Sequence, residues 1–331
     1  MNDALAWCRD ILPRVSRTFA LGIQTLPQPF EAWVTVAYLL CRIADTIEDA
    51  PDIPWEQRRQ MFLDFEDALL GGDTAALEAH LSLLPEGDDK ELCTHTAAVI
   101  SVMDEFPPEV VASLRHWVGE MTYGMATYAR RHTPGTRTVL LDGADLERYC
   151  WYVAGTVGHL LTDLFIIGFP AMGEQEFELR RNATGFGLLL QMTNIVKDVT
   201  DDWERNWCFI PQTIQQDAGL RPGELLDVDK QAQGLRAINA VNQMARAHYP
   251  AAAAYCRALP KGADACLRFC LFPMLMAGRT LDLAMSNPAT LTPNEPVKVT
   301  REIVGEELLR TEQLLTDEAG MGALTLSTAA R

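Results

Sequence analysis

The chain has 331 residues, 48% of them apolar, which is enough to bury a sizeable core and too apolar for disorder. Its 28 basic against 45 acidic residues leave a formal charge of −17, which opposes binding to nucleic acid or to an anionic membrane through general electrostatics. Eight scattered cysteines with no C-x-x-C pair fit a reduced, cytoplasmic protein in which free cysteine behaves as a small hydrophobe.

Taken in chain order, the start Met1-Asn2-Asp3-Ala4 has no basic region ahead of an apolar core, so no signal peptide is expected. The first long helix-patterned run, about Phe30 to Glu48, is apolar nearly all round, which marks a central helix. It closes on Asp45-Thr46-Ile47-Glu48-Asp49. Proline- and glycine-rich breaks then fall at 50–54, 71–73, 85–87 and 133–135. The longest stretch with few charges, Tyr149 to Gly173, is interrupted only by His159 and Asp163 and has the length of a membrane span. A central Asp would cost roughly 2.5–3.5 kcal/mol in a bilayer, so a buried, cavity-lining helix is expected instead. His159 and Asp163 form an i, i+4 pair, but two ligands do not make a zinc site, and His159 reads as structural. Gly185 to Val199 repeats the character of the first run and again ends in acid, Asp198-Val199-Thr200-Asp201-Asp202. Further breaks fall at 205–211, 221–223 and 287–296. Period-2 alternation is nearly absent, so the reading is an all-α protein of about ten helices. One domain is expected over residues 1–317, followed by a flexible tail of small residues over 318–331.

The two acidic clusters carry the chemistry. In a helix, Asp45, Glu48 and Asp49 fall at i, i+3 and i+4 and share one face, as do Asp198, Asp201 and Asp202. Like charges so placed repel, and the C-terminal end of a helix disfavours each by roughly 0.3–1 kcal/mol. For one triplet alone, a solvated helix end is the simpler account; two at matching helix ends point to a bound cation. Mg2+, with Mn2+ as its substitute, suits oxygen ligands and reserves positions for substrate phosphates. Apolar walls beside such metals suit a hydrocarbon diphosphate, its chain buried at about 0.8 kcal/mol per CH2. The residues therefore point to a metal-dependent prenyl diphosphate enzyme.

Four segments extend this reading: Val15-Ser16-Arg17-Thr18-Phe19-Ala20; Tyr38 through Arg42 to Asp49; Tyr149-Cys150-Trp151-Tyr152-Val153-Ala154-Gly155-Thr156-Val157-Gly158; and Gln191-Met192-Thr193-Asn194-Ile195-Val196-Lys197-Asp198 with Asp202. Together they resemble the squalene and phytoene synthase family over most of the chain. Phe269 to Ala277, and more weakly Val297 to Arg301, look like the squalene synthase branch. The resemblance implies a class I isoprenoid synthase bundle around a central apolar cavity. It further implies head-to-head joining of two farnesyl diphosphates through presqualene diphosphate, then reduction by NADPH to squalene. It places Mg2+ on Asp45, Asp49, Asp198 and Asp202, with Glu48 beside them. Tyr38 and Tyr149 fall near the reacting carbons, Tyr149 as the candidate for proton transfer. Ser16, Arg17, Phe19, Arg42, Gln191, Asn194 and Lys197 fall to the substrate, and Lys298 and Arg205 to NADPH. Transient membrane contact would serve release of an insoluble product.

Simpler roles stand beside these. Ser16 suits an N-cap, Arg42 a local salt bridge with Asp45, the two tyrosines a core position with one hydrogen bond, and the amides a backbone partner. Two departures from the family pattern are Lys197, where many members have Arg, and Trp207, at a commonly basic position. Alternatives are an enzyme stopping at presqualene diphosphate, one making dehydrosqualene or phytoene without hydride, a phosphatase or cyclase using the same metals on one substrate, and a non-catalytic lipid-binding or assembly-factor relative.

Overall fold

The structure, a computed structural model, describes residues 2–50, 52–132, 135–293 and 297–324. Its helices run in order α1 (Asn2–Val15), α2 (Arg17–Gln24), α3 (Phe30–Glu48), α4 (Trp55–Leu69), α5 (Thr74–Leu81), α6 (Asp88–Cys93), α7 (Thr96–Met103), α8 (Pro108–Ala129), α9 (Gly143–Cys150) and α10 (Thr156–Gly168). After these come α11 (Glu176–Lys197), α12 (Val199–Glu204), α13 (Gln212–Asp217), α14 (Gln231–Ala247), α15 (Tyr249–Ala258), α16 (Asp264–Ala284), α17 (Arg301–Leu314) and α18 (Glu318–Gly322). The all-α expectation holds, with more and shorter helices than the periodicity resolves. Two-residue strands β1 (Thr138–Val139) and β2 (Trp207–Cys208) pair in parallel, Thr138 opposite Trp207. The region expected as a tail begins with α18; residues 325–331 lie outside those described.

The chain divides into two compact units, each discontinuous in sequence: Met1–Pro134 with Thr156–Glu174, and Gly135–Gly155 with Gln175–Arg331. In the first, α3 is the central helix that its apolar pattern predicts. Its Trp33, Val36, Leu39, Leu40, Ile43 and Ile47 are all buried, and α1, α7, α8 and α10 pack around it. Phe30 meets Phe165 of α10 edge to face at 5.7 Å between ring centroids. Arg58 of α4 is buried with them; it donates to the carbonyl of Glu48 at 3.1 Å and to that of Ala129 at 3.4 Å, the C-terminal ends of α3 and α8.

In the second unit α11 is central, packed by α14, α15, α16 and a π-helical turn at Trp151–Gly155. The sequence pattern starts this helix at Gly185; it begins at Glu176. The glycines in the middle of this helix serve close packing. A Cβ on Gly185 would stand 2.6 Å from the Ala251 Cβ, and one on Gly187 only 2.3 Å from the Ala154 carbonyl oxygen in the π turn. Such turns recur at functional sites, and this one lies in the Tyr149–Gly158 motif. Among the described residues one helical run, Gly143–Gly168, is long and apolar enough to cross a membrane by length and composition.

Candidate active site

In the first unit α2 and α3 assemble one group of the expected residues. Ser16 caps α2, its Oγ accepting from the Phe19 N–H at 3.2 Å, the N-cap role its residue type favours. Burial pushes the Tyr38 phenol up, against the opposing pull of nearby Ser16 and of the Arg42 charge. The half-exposed Phe19 ring lies 5.9 Å from that of Tyr38. Arg17 opens α2; its side chain lies outside the described residues. One turn beyond Tyr38 on the same helix, Arg42 donates to Asp45 at 2.6 Å, the local salt bridge its spacing allows. Its other edge makes a fork with Asp89 of α6, Nε to Oδ1 at 2.9 Å and Nη2 to Oδ2 at 3.0 Å.

The acid cluster itself corrects one expectation. Asp45 is part-exposed and Asp49, the C-cap residue of α3, is exposed. Glu48, expected to share their face, is only 3% exposed and lies within electrostatic reach of Arg58. A carboxylate turned into the core beside a buried guanidinium is a poor ligand for a metal on the outer face, so the first motif offers two aspartates.

In the second unit the acids sit differently from the sequence reading. The helix does not run through them; it breaks at Asp198, which ends α11 and opens α12. Asp201 and Asp202 therefore occupy the first turn of a helix, where its dipole favours carboxylates. Lys197 donates to both Asp198 oxygens, at 2.6 and 2.7 Å. Asp202 is buried and accepts from Arg205 at 2.6 Å. Asn194 is exposed and Gln191 half-buried on the last turns of α11, with the Asn194 carbonyl accepting from the Asp198 N–H at 2.8 Å. Tyr149 is buried, stacked on Phe209 at 4.7 Å; Phe209 in turn stacks on Trp207 at 5.3 Å. At the commonly basic position, then, stands a buried aromatic that extends the wall behind Tyr149. Arg137 lies 3.5 Å over the Trp203 ring and donates to the Trp203 carbonyl at 3.2 Å, holding the end of α12 beside a cavity of about 310 Å³. Burial lowers its pKa, with the Cys208 charge opposing.

The first motif offers Asp45 and Asp49 to a metal; the second offers Asp198, while Asp202 is buried and closed on Arg205. No group of three His, Cys, Asp or Glu side chains able to hold a metal stands among the described residues. That donor set suits Mg2+, which takes one or two carboxylates and leaves its other positions to phosphate and water. It does not suit an all-protein cage. Each motif also carries its own cation, Arg42 or Lys197, against the repulsion between its acids. The residues expected for NADPH fit less well: Arg205 is engaged by Asp202, Lys298 is exposed ahead of α17, and Trp207 brings no charge. They form no recognisable dinucleotide site.

His159 is structural as expected, stacked on Trp117 at 4.9 Å, while Asp163 accepts from Ser113 and from the Trp117 indole at 2.8 and 2.7 Å. Sequence reasoning missed Asp89, Phe209, Arg58 and Arg137. Only Phe209, two residues past Trp207, stands near a position that the family pattern singles out; the others reach their partners across long stretches of chain.

The family profile described as squalene/phytoene synthase matches residues 12–302. The squalene synthase of Cyberlindnera jadinii is 26% identical over 298 residues, 88% of this chain and 64% of its own. That of Gibberella zeae is 30% identical over 310 residues, 91% of this chain and 62% of its own. The chain thus spans less than two thirds of the length of these curated relatives. Among solved structures, TcSQS in complex with a ligand is 26% identical with a TM-score of 0.79, covering 95% of this chain and 90% of its own. A dehydrosqualene synthase, 20% identical at a TM-score of 0.67, shares the fold. With a family match over nearly the whole chain, both acidic motifs intact and the same all-α isoprenoid synthase fold, the chain belongs to the squalene/phytoene synthase family.

Proposed function

We propose that the protein joins two molecules of farnesyl diphosphate head to head through presqualene diphosphate and forms squalene. The observation that carries this reading is the preserved pair of acidic motifs, each with exposed or part-exposed aspartate and an adjacent cation, in a chain whose relatives include squalene synthases. Asp45 and Asp49 on one motif, and on the other Asp198 with Asp202 once Arg205 releases it, would hold Mg2+. When bound, the metal supplies positive charge that stabilises a departing diphosphate.

The chain's own groups do the rest. Arg42 and Lys197 offer N–H donors to phosphate oxygens; Arg42 presents a planar fork, whereas Lys197 presents a point charge. Tyr38, packed near Phe19, and Tyr149, stacked on Phe209, present aromatic faces with one hydroxyl each. Such faces stabilise positive charge developing on carbon. The Tyr149 hydroxyl is our candidate for moving the proton lost as the cyclopropane forms. The reductive half, drawing on NADPH, rests on kinship with squalene synthases.

The test is incubation of purified protein with Mg2+ and farnesyl diphosphate, with and without NADPH, followed by mass spectrometry of extracts before and after phosphatase treatment. Squalene formed only with NADPH is the expected result. A presqualene product under both conditions would place the enzyme at the first half-reaction. Absence of any thirty-carbon product, with geranylgeranyl diphosphate equally inert, would overturn the reading.

A further inference from the structure

We propose that Asp89 is an internal competitor for the Arg42 fork: it occupies the guanidinium edge between turnovers and, by returning to it, helps pyrophosphate to leave. The inference rests on reading Arg42 as a diphosphate contact.

The geometry is that of a phosphate complex with a carboxylate in its place. Asp89 Oδ1 and Oδ2 accept from Nε and Nη2 at 2.9 and 3.0 Å, the parallel two-point arrangement by which arginine also grips phosphate. The remaining Nη1 donates to Asp45 at 2.6 Å. With one cation between two carboxylates, an arriving diphosphate meets a locally negative site until one of them moves away. Asp45 lies on the same helix three residues along, whereas Asp89 comes from α6.

Anchoring of α6 makes Asp89 the group suited to exchange. Arg14 of α1 donates to Asp88 and to Glu91, each at 3.0 Å, so this short helix keeps its place when Arg42 lets go. Asp89 thus has a fixed station to which it can return. The pair is also of displaceable strength, with Arg42 30% and Asp89 40% exposed and therefore screened by solvent. A buried pair would hold the arginine permanently; this one can yield to the doubly charged end of a substrate and reclaim the fork from a product that has lost its hydrocarbon anchor.

Inorganic pyrophosphate titrated calorimetrically into the full chain without divalent metal tests the idea apart from turnover. Asp89→Asn should bind it about three- to fivefold more tightly, the size of an exposed ion pair released. Glu86→Gln removes the same charge three residues away, at an exposed side chain outside the Arg14 anchor, leaves the fork closed, and should change binding by less than about 1.5-fold on the same scale. In turnover, Asp89→Asn should lower KM for farnesyl diphosphate and kcat together, because substrate enters more readily and pyrophosphate leaves more slowly. Asp89→Glu, which restores the carboxylate, should return both constants toward wild type. If Asp89→Asn does not fold, Asp89→Ser carries the test: it should tighten pyrophosphate binding likewise, and in the Arg42→Lys background, with no fork to free, the same change should leave binding unchanged. Weaker binding or a higher KM in Asp89→Asn would overturn the proposal, showing that Asp89 only holds Arg42 in place. Equal tightening in Glu86→Gln would reduce the effect to diffuse charge and overturn it as well. Arg42→Lys binding pyrophosphate as well as wild type would instead remove Arg42 from the diphosphate site, a failure of the functional reading itself.

Discussion

Asp45 and Asp198 occupy equivalent situations: each is part-exposed, and each has a cation 2.6 Å away in its own turn, Arg42 or Lys197. Removing either carboxylate charge should therefore abolish turnover without unfolding the protein, because the metal loses a ligand while the cation can turn to solvent. In Asp45→Asn and Asp198→Asn we expect no measurable product and a melting temperature at or above wild type; wild-type turnover in either purified variant would refute the metal assignment. Tyr149→Phe preserves the ring stacked on Phe209 and deletes only the hydroxyl. Its kcat should fall by about 100-fold or more if that hydroxyl moves a proton, with thermal unfolding unchanged. Ser16 as a cap and Arg42 as the partner of Asp45 were legible from spacing alone, since both interactions close within three residues. Asp89 was not, because it meets Arg42 across 47 positions of sequence and sits in no motif.

At the level of elements, the acid-bearing end of α3 is held from outside itself. Arg58 binds the C-terminal carbonyls of α3 and α8, and burial lowers its pKa while Glu48 pulls it back up. Arg58→Met should cost about 1–3 kcal/mol, since two buried carbonyls lose their donor and the Glu48 carboxylate loses a nearby positive charge. Adding Glu48→Gln should recover part of that loss, and urea unfolding of the two variants checks both values. An unchanged midpoint in Arg58→Met would show that the guanidinium contributes nothing net. The α11 contact with the π turn is equally specific. Gly187→Ala places a methyl 2.3 Å from a backbone oxygen that has no side chain to give way. It should destabilise by about 1–3 kcal/mol or more, read as a lowered melting temperature. Helical periodicity predicted the bounds of α3 well, because nearly every side of that helix is buried. It misplaced the start of α11, because the mostly polar first turns, Glu176 to Asn182, carry little of the apolar pattern.

For the molecule as a whole, stability should depend on pH through its buried histidines. Burial lowers the pKa of His132, with Arg58 adding to the effect and Asp52 opposing it; burial also lowers that of His248, against Glu147. Each histidine then takes up a proton more readily in the unfolded chain, so the unfolded state binds more protons in the window below about 6.5. The stability these groups contribute is fully present above that pH and is lost as pH falls through it toward their folded values. The urea midpoint should drop between about pH 7.5 and 5.5, and the drop should be shallower in His132→Gln with His248→Gln. An unchanged pH dependence in the double variant would assign the loss to other groups.

What the sequence by itself determined is what short-range patterning can carry. The all-α class follows from helical period, the two acidic motifs from spacing within a turn, and the family from segments whose residues are contiguous. The tertiary structure alone decided which of those residues face solvent and what they touch. It turned Glu48 inward beside Arg58, set Asp198 at a helix junction instead of mid-helix, placed the Trp207 ring in a stack behind Tyr149, and closed the Arg42 fork on Asp89. The physical reason is that a periodic pattern says which face of a helix is apolar, whereas the partner of a charge is set by packing between helices remote in sequence.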